Sequence, residues 1–275
     1  MERGVGRPVR TINKGITILQ MNGINGIGAG HFATDCSEIV DSGVRFAFQP
    51  IVGLENEEIV GYEALVRGAG DESAASVIAA IGSEHRYAFD QACRERAVRT
   101  AAERGFAGAV HLNCSELTPD NIDVAVAATR QAALDHGLDP TRIVLEFGNL
   151  EPLGNPRQLD KACRIARQAE LGVLADNVGV GEVGLKRLVV FRPDHAKLDR
   201  SLIRDIDRSP RRQAIVLGVV ATGRALGIEI IAAGIETAAE AAWLAGAGIR
   251  RGQGFLFGGP AFRPCAPRAT ETSAA

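Results

Sequence analysis

Gly61-Tyr62-Glu63-Ala64-Leu65-Val66-Arg67 decides how this chain is read. It is an apolar, strand-like run that carries an acid near its middle and a base at its end. Apolar neighbours bury such an acid, and a buried charge without a partner is costly, so Glu63 calls for a metal ion or a fixed donor. The segment before it, Arg45–Val52 (RFAFQPIV), is equally strand-like. The polar turn 53–58 joins it to Ile59–Val66 as a hairpin.

Downstream of the hairpin, a long Ala-rich stretch over 74–104 reads as helix. Apolar strands are expected at 109–113, 142–147, 173–177, 194–198, 229–232 and 253–257. Helical stretches near 121–136, 156–170, 182–190, 203–226 and 238–247 separate them. Strands joined by helices predict a largely parallel α/β sheet. Eight strands in this span fit a closed barrel better than an open doubly wound sheet. The expected class is α/β, a modified TIM-type (β/α)8 barrel with one antiparallel strand from the N-terminal hairpin.

A chain of 275 residues with 46% hydrophobic content can build one barrel-sized core. The expected organisation is a flexible Gly-rich arm over 1–40, a barrel domain over 41–263 and a disordered tail over 264–275. Within the arm, Met21–Gly30 (MNGINGIGAG) mimics a dinucleotide-binding fingerprint but lacks the strand before and the helix after that would support it. Net charge is −2 and the pI about 6.2, which gives no global electrostatic case for a nucleic acid polymer or a membrane surface. The five cysteines are widely spaced, odd in number and without a CxxC pair, which points to the reducing cytoplasm rather than a disulfide framework or zinc site. The most apolar region, 214–235, is interrupted by Arg224, Glu229 and glycines and does not make a membrane span. The N-terminus shows no secretory signal.

Chemistry in such barrels sits at the C-terminal ends of the strands. Those ends carry Glu63, Asn113, Glu146, Asp176 with Asn177, Lys197, Glu236 just past its strand, and Gln253. Any one of them alone reads more readily as a helix cap, a turn former or a loop salt bridge. Their recurrence at matching places points to a shared site. Three carboxylates and an amide oxygen are hard ligands, suited to Mg²⁺, Mn²⁺ or Ca²⁺. Lys197 adds a point charge for phosphate or for a metal-bound hydroxide. The pattern suggests a phosphate compound as ligand and metal-assisted phosphoester hydrolysis as chemistry.

These residues resemble the EAL domain, the family of cyclic di-GMP phosphodiesterases and their inactive relatives. The resemblance covers Phe46 to Pro260. It rests on Glu63-Ala64-Leu65, on Gln49-Pro50-Ile51-Val52, on Leu112-Asn113-Cys114-Ser115 for the family's VNLS, on Lys197-Leu198-Asp199-Arg200-Ser201 for KIDRSF, and on Gln253-Gly254-Phe255 for QGY. It implies Glu63, Asn113, Glu146 and Asp176 as ligands of a first Mg²⁺ or Mn²⁺. Lys197 would hold the water between the metals, with Glu236 and Gln253 as further catalytic positions. Gln49, Leu65, Arg67, Asp199 and Gly254 would contact the dinucleotide.

The chain departs from the pattern beside that cluster. The family's DDFGTG reads Asp176-Asn177-Val178-Gly179-Val180-Gly181, so a second-metal carboxylate is an amide. AEGVE reads Ala232-Ala233-Gly234-Ile235-Glu236, so the proposed ligand or general base is a methyl group. LEITE reads Leu145-Glu146-Phe147-Gly148-Asn149, without the glutamate that braces the metal loop, and the usual tryptophan after the arginine is Gly68. Loss of a general base alone costs about 10²–10⁴ in rate. The expectation is a degenerate member that binds cyclic di-GMP with little or no hydrolysis, with one metal site kept and the second weakened. The alternatives are an active phosphodiesterase yielding pGpG with altered ligation, for instance through Glu151 or Glu182, and a nucleotide-independent module that binds a regulatory protein. The family also implies homodimers.

Overall fold

β1 (Val44–Gly53) and β2 (Ile59–Gly68) form the expected hairpin, pairing antiparallel with Gln49 opposite Glu63. Their β-branched and aromatic residues suit a pleated surface, with alternate side chains facing opposite sides. The computed structural model describes residues 36, 40, 41, 43–148, 156–179 and 186–263. Most of the expected arm, the Met21–Gly30 stretch, the tail 264–275, Asn149, Glu151, Val180, Gly181 and Glu182 lie outside the described residues.

After the hairpin come α1 (Ala74–Ala79), α2 (Arg86–Glu103), β3 (Ala109–Asn113), α3 (Ile122–Asp135) and β4 (Ile143–Phe147). They are followed by α4 (Pro156–Gln168), β5 (Gly172–Val178), α5 (Lys186–Phe191), β6 (His195–Leu198), α6 (Arg200–Ile203) and α7 (Pro210–Leu226). β7 (Glu229–Ala233), α8 (Ala238–Gly246) and β8 (Arg251–Gln253) complete the order. The strands close into a barrel in sequence order. β2 to β8 run parallel, and β1 is antiparallel to both β2 and β8. The fold is the modified TIM-type barrel expected from the hairpin.

Two expectations are corrected. The single helix over 74–104 is broken: α1 stops at Ala79, and a short 3₁₀ turn at Ser83–His85 precedes α2. Gly82 is extended there, with ψ 146°, a break that the surrounding alanines hide in the sequence. The last strand ends at Gln253 rather than Phe257. A Cβ at Gly254 would collide with the Ile235 backbone, so the chain passes close and turns, with Phe257 N–H donating to Gly254 O at 3.1 Å. It then returns to pair Ala261 with Phe48. That bridge covers the part of β1 that short β8 does not reach, which would otherwise be an open strand edge.

The core has two parts. A small interior cluster of Ile51, Val144, Leu174 and Ile231 fills the barrel below the strand ends. A larger one lies between barrel and helices and includes the fully buried Phe48, Phe147, Phe191, Leu112, Leu145 and Leu198. No helix among the described residues is long and apolar enough to cross a membrane. Phe48 meets the Phe106 ring edge-on at 4.8 Å inside this packing. Phe48→Ala is expected to destabilise the fold by about 3–5 kcal/mol, read as a lower urea midpoint with the barrel's far-UV spectrum retained in water.

Candidate functional site

The period of two along each strand places Gln49, Glu63, Asn113, Glu146, Asp176, Lys197 and Gln253 toward the barrel interior near the C-terminal ends of the parallel strands. The register sets Gln49 opposite Glu63 and Asn113 beside Glu146, so the hairpin contributes to the same cluster as the parallel strands.

Lys197 is the hub. Its Nζ lies 2.7 Å from both carboxylate oxygens of Glu146 and 3.1 Å from Oε2 of Glu63. Gln253 Nε2 donates to Glu63 Oε2 at 2.7 Å and to Gln49 Oε1 at 2.9 Å, while Gln49 Nε2 donates to Gly258 O at 3.1 Å. Asn113 Nδ2 donates to Glu63 Oε1 at 3.3 Å. Glu63, Glu146, Lys197 and Gln253 are all buried.

The charges respond accordingly. Burial raises the Glu63 carboxyl, but the Lys197 charge and hydrogen bonds from Gln253, Lys197 and Asn113 outweigh it and hold Glu63 below the usual carboxylate range. Glu146 is pushed up to about 7 by its complete burial and then by the Glu63 charge, with Lys197 opposing. Asp176 is pushed up to about 6, chiefly by burial, with Lys197 again opposing. Burial disfavours the Lys197 ammonium, yet Glu146, Glu63 and Asp176 together hold its pKa above the ordinary lysine value. The ammonium therefore stays charged at neutral pH.

Other expected positions fall outside this network. Asp176 accepts from its neighbour Asn177 Nδ2 at 3.2 Å, and Asn177 is exposed with φ +57°. Ala233 is half-buried and offers only a methyl. Glu236 is exposed and pairs with Arg200 at 2.7 Å. Asp199 caps α6, accepting from Ser201 N–H at 2.8 Å. Arg67 donates to its own neighbour's carbonyl, Val66 O, at 2.8 Å. Leu65 is half-buried on the wall of a cavity between β2, α1 and α2 that Asn113 also lines. Gly254 is buried against Ile235.

One residue of the network was not singled out from the sequence. His111 is buried, and its Nδ1 lies 2.8 Å from Glu146 Oε1. Its signal was there to find: it precedes Asn113 by two residues on the same strand and so shares its face.

Whether these residues suit a metal ion can be judged from the donors. Among the described residues no three His, Cys, Asp or Glu side chains converge as a ready-made cation site, because the Lys197 ammonium lies between Glu63 and Glu146. The set of Glu63, Glu146, Asp176 and Asn113 nevertheless has the hard-oxygen chemistry of one divalent ion. Gln253 Oε1, buried and without a hydrogen-bond partner, is a further acceptor close by. At the positions expected to serve a second ion, Asn177 brings an uncharged amide that donates to Asp176, and Ala233 brings only a methyl.

Removing the ammonium leaves Glu63 and Glu146 facing each other in a buried space. Lys197→Met is expected to cost about 3–5 kcal/mol at neutral pH. Glu146 is already raised toward 7, so a protonated Glu146 stabilises the folded variant at low pH, and that stability is lost as pH rises through the folded pKa. The deficit relative to wild type should therefore widen from pH 5 to pH 8, measured by urea unfolding at both values.

Comparison with known proteins places these features in a family. The family model described as the EAL domain matches residues 37–260. The blue light- and temperature-regulated antirepressor BluF of Escherichia coli K12 is 29% identical over 214 residues, covering 78% of this chain and 53% of its own length. A standalone versatile EAL protein from Vibrio cholerae O395, solved in a c-di-GMP-bound form, superposes with a TM-score of 0.74 at 33% identity, covering 79% of this chain and 92% of that one. Klebsiella pneumoniae BlrP1, solved as a manganese/cy-diGMP complex at pH 9.0, gives a TM-score of 0.73 at 34% identity, covering 79% of this chain and 56% of that one. The chain spans about half the length of BluF or of BlrP1.

Proposed function

The chain belongs to the EAL domain family, and from that premise we propose that it binds cyclic di-GMP and hydrolyses it slowly or not at all. The observation that carries this reading is a contrast within one site. The buried network of Glu63, Glu146, Lys197, Gln253 and Gln49 is complete, whereas positions 177 and 233 hold an amide and a methyl.

On this reading the dinucleotide lies across the mouth of the barrel, and the relatives from Vibrio and Klebsiella were solved with it bound. Arg67 is half-buried and, among the described residues, bonded only to Val66 O, which leaves most of its five donors for a ligand phosphate or base. Gln49 orients the site through Gln253 and the Gly258 carbonyl. Leu65 would offer apolar contact to a base, and Asp199 and Gly254 would be further contacts of the dinucleotide.

Glu63, Asn113, Glu146 and Asp176 would hold one Mg²⁺ or Mn²⁺. When bound, that ion would neutralise phosphate charge and polarise the P–O bonds. The chain's own residues then bind and orient the phosphodiester, with Lys197 holding a proton-rich ammonium beside it. Nothing at position 233 accepts a proton from an attacking water. The family relation to BluF motivates a protein partner as the output of binding, and homodimerisation belongs with that proposal. The scattered thiols fit a cytoplasmic setting.

Calorimetric titration with cyclic di-GMP, with and without Mn²⁺, is expected to give saturable heat, and its absence in both arms would overturn the binding reading. Chromatography of the same mixture should show little pGpG from wild type. Asn177→Asp combined with Ala233→Glu should raise the yield about 10²-fold or more. Fast conversion by wild type, unchanged in the double variant, would establish an active phosphodiesterase instead.

A further inference from the structure

His111 touches the site from beneath, and nothing in the resemblance gives it a role. It sits on β3 one pleat below Asn113, opposite Glu63 on β2 and Val144 on β4. Its side chain is buried, and Nδ1 lies 2.8 Å from Glu146 Oε1. Around it the barrel interior holds the apolar cluster of Ile51, Val144, Leu174 and Ile231, and the His195 ring lies 6.5 Å away. Among the described residues, His111 and Lys197 are the hydrogen-bond partners of the Glu146 side chain.

The two partners act differently. The Lys197 ammonium sits on a four-carbon stem and contacts both oxygens of Glu146, so it leaves the carboxylate's rotation to its own position. The imidazole is a flat ring on a short linker, buried on the strand face that Asn113 shares, and it contacts Oε1 alone. A carboxylate that ligates a cation only accepts, so the 2.8 Å contact serves a ligating Glu146 when the imidazole proton sits on Nδ1.

We infer that His111 is a positioning residue for a divalent cation: its Nδ1–H pins Glu146 Oε1 and thereby turns Oε2 toward the space shared with Glu63, Asn113 and Asp176. A carboxylate ligand held by a fixed donor keeps its orientation when the ion arrives, and losing such a donor typically lowers metal affinity about 10–100-fold. The inference rests on the reading of those four residues as a cation site.

The test is Mn²⁺ binding, followed by the electron paramagnetic resonance signal of the free aquo ion, with melting curves in EDTA recorded in parallel. Wild type should take up one Mn²⁺. His111→Phe keeps a flat ring but no donor and should bind about 10–100-fold more weakly. His111→Asn places an N–H near the position of Nδ1 and should recover most of the affinity. A purely structural histidine would lower the EDTA melting temperature of both variants without this split in Mn²⁺ affinity. Should His111→Phe not fold, His111→Gln, which moves the donor toward the Nε2 position, provides the weak-binding arm. Folded His111→Phe with wild-type Mn²⁺ affinity overturns the role of His111 alone. Wild type that takes up no Mn²⁺ overturns the cation site and the inference with it.

Discussion

One ammonium between two buried carboxylates organises the mouth of this barrel. Glu63 and Glu146 come from strands that are not neighbours, and without Lys197 their charges would repel in a space from which water is largely excluded. A buried ion pair of this kind is weak evidence for stability, since well-packed apolar residues would often serve as well. Its presence here is better explained by what it keeps available, namely charged oxygens at the strand ends. The amides complete the arrangement. Gln253 and Asn113 donate to Glu63, and Gln253 ties that acid to Gln49 on the reversed strand.

On the proposed reading, binding and chemistry depend on different residues of the site. The elements that shape the mouth are the strand-end side chains, fixed by register and by the apolar floor beneath them. The positions that would activate water in a two-metal mechanism come from less constrained places: the end of β5 and the last residue of β7. Asn177 has a left-handed backbone and is exposed, and Ala233 is half-buried. Substitution at either leaves the network of Lys197 untouched. A chain can therefore lose a catalyst while its fold and its ligand mouth remain intact.

The barrel was legible in the sequence because period-two strands and helical crossovers alternate over most of its length, and the hairpin announced the antiparallel strand. What escaped detection was set by tertiary contact. The break at Gly82 lies inside a run of helix formers, and the end of β8 is decided by how closely Gly254 passes the Ile235 backbone. In the site, the strand-end pattern grouped Glu63, Asn113, Glu146, Lys197 and Gln253, whose side chains do meet in the fold. It did not say that Lys197 lies between the acids, since side-chain length and direction are invisible in a list of residue types. Nor did it anticipate Glu236 pairing outward with Arg200, or Asp199 serving as a cap. His111 is hard to single out in the sequence because it lies a pleat below the last residue of its strand, where the strand-end pattern does not reach.

The reversal of β1 has a mechanical corollary. In an all-parallel barrel the chain enters the first strand from the floor, remote from the strand ends that carry chemistry. Here Val44 pairs with Gly68, so β1 begins at the mouth and runs down to Gly53 beside Arg251. The residues just upstream are clamped there, with Asp41 held by Arg96 and Arg99 of α2. Tension or torque applied to the polypeptide ahead of β1 is thus delivered to the rim that frames Arg67 and Glu63, through a strand that also carries Gln49. The geometry gives any upstream segment a short lever on the ligand mouth, without a signal having to cross the barrel.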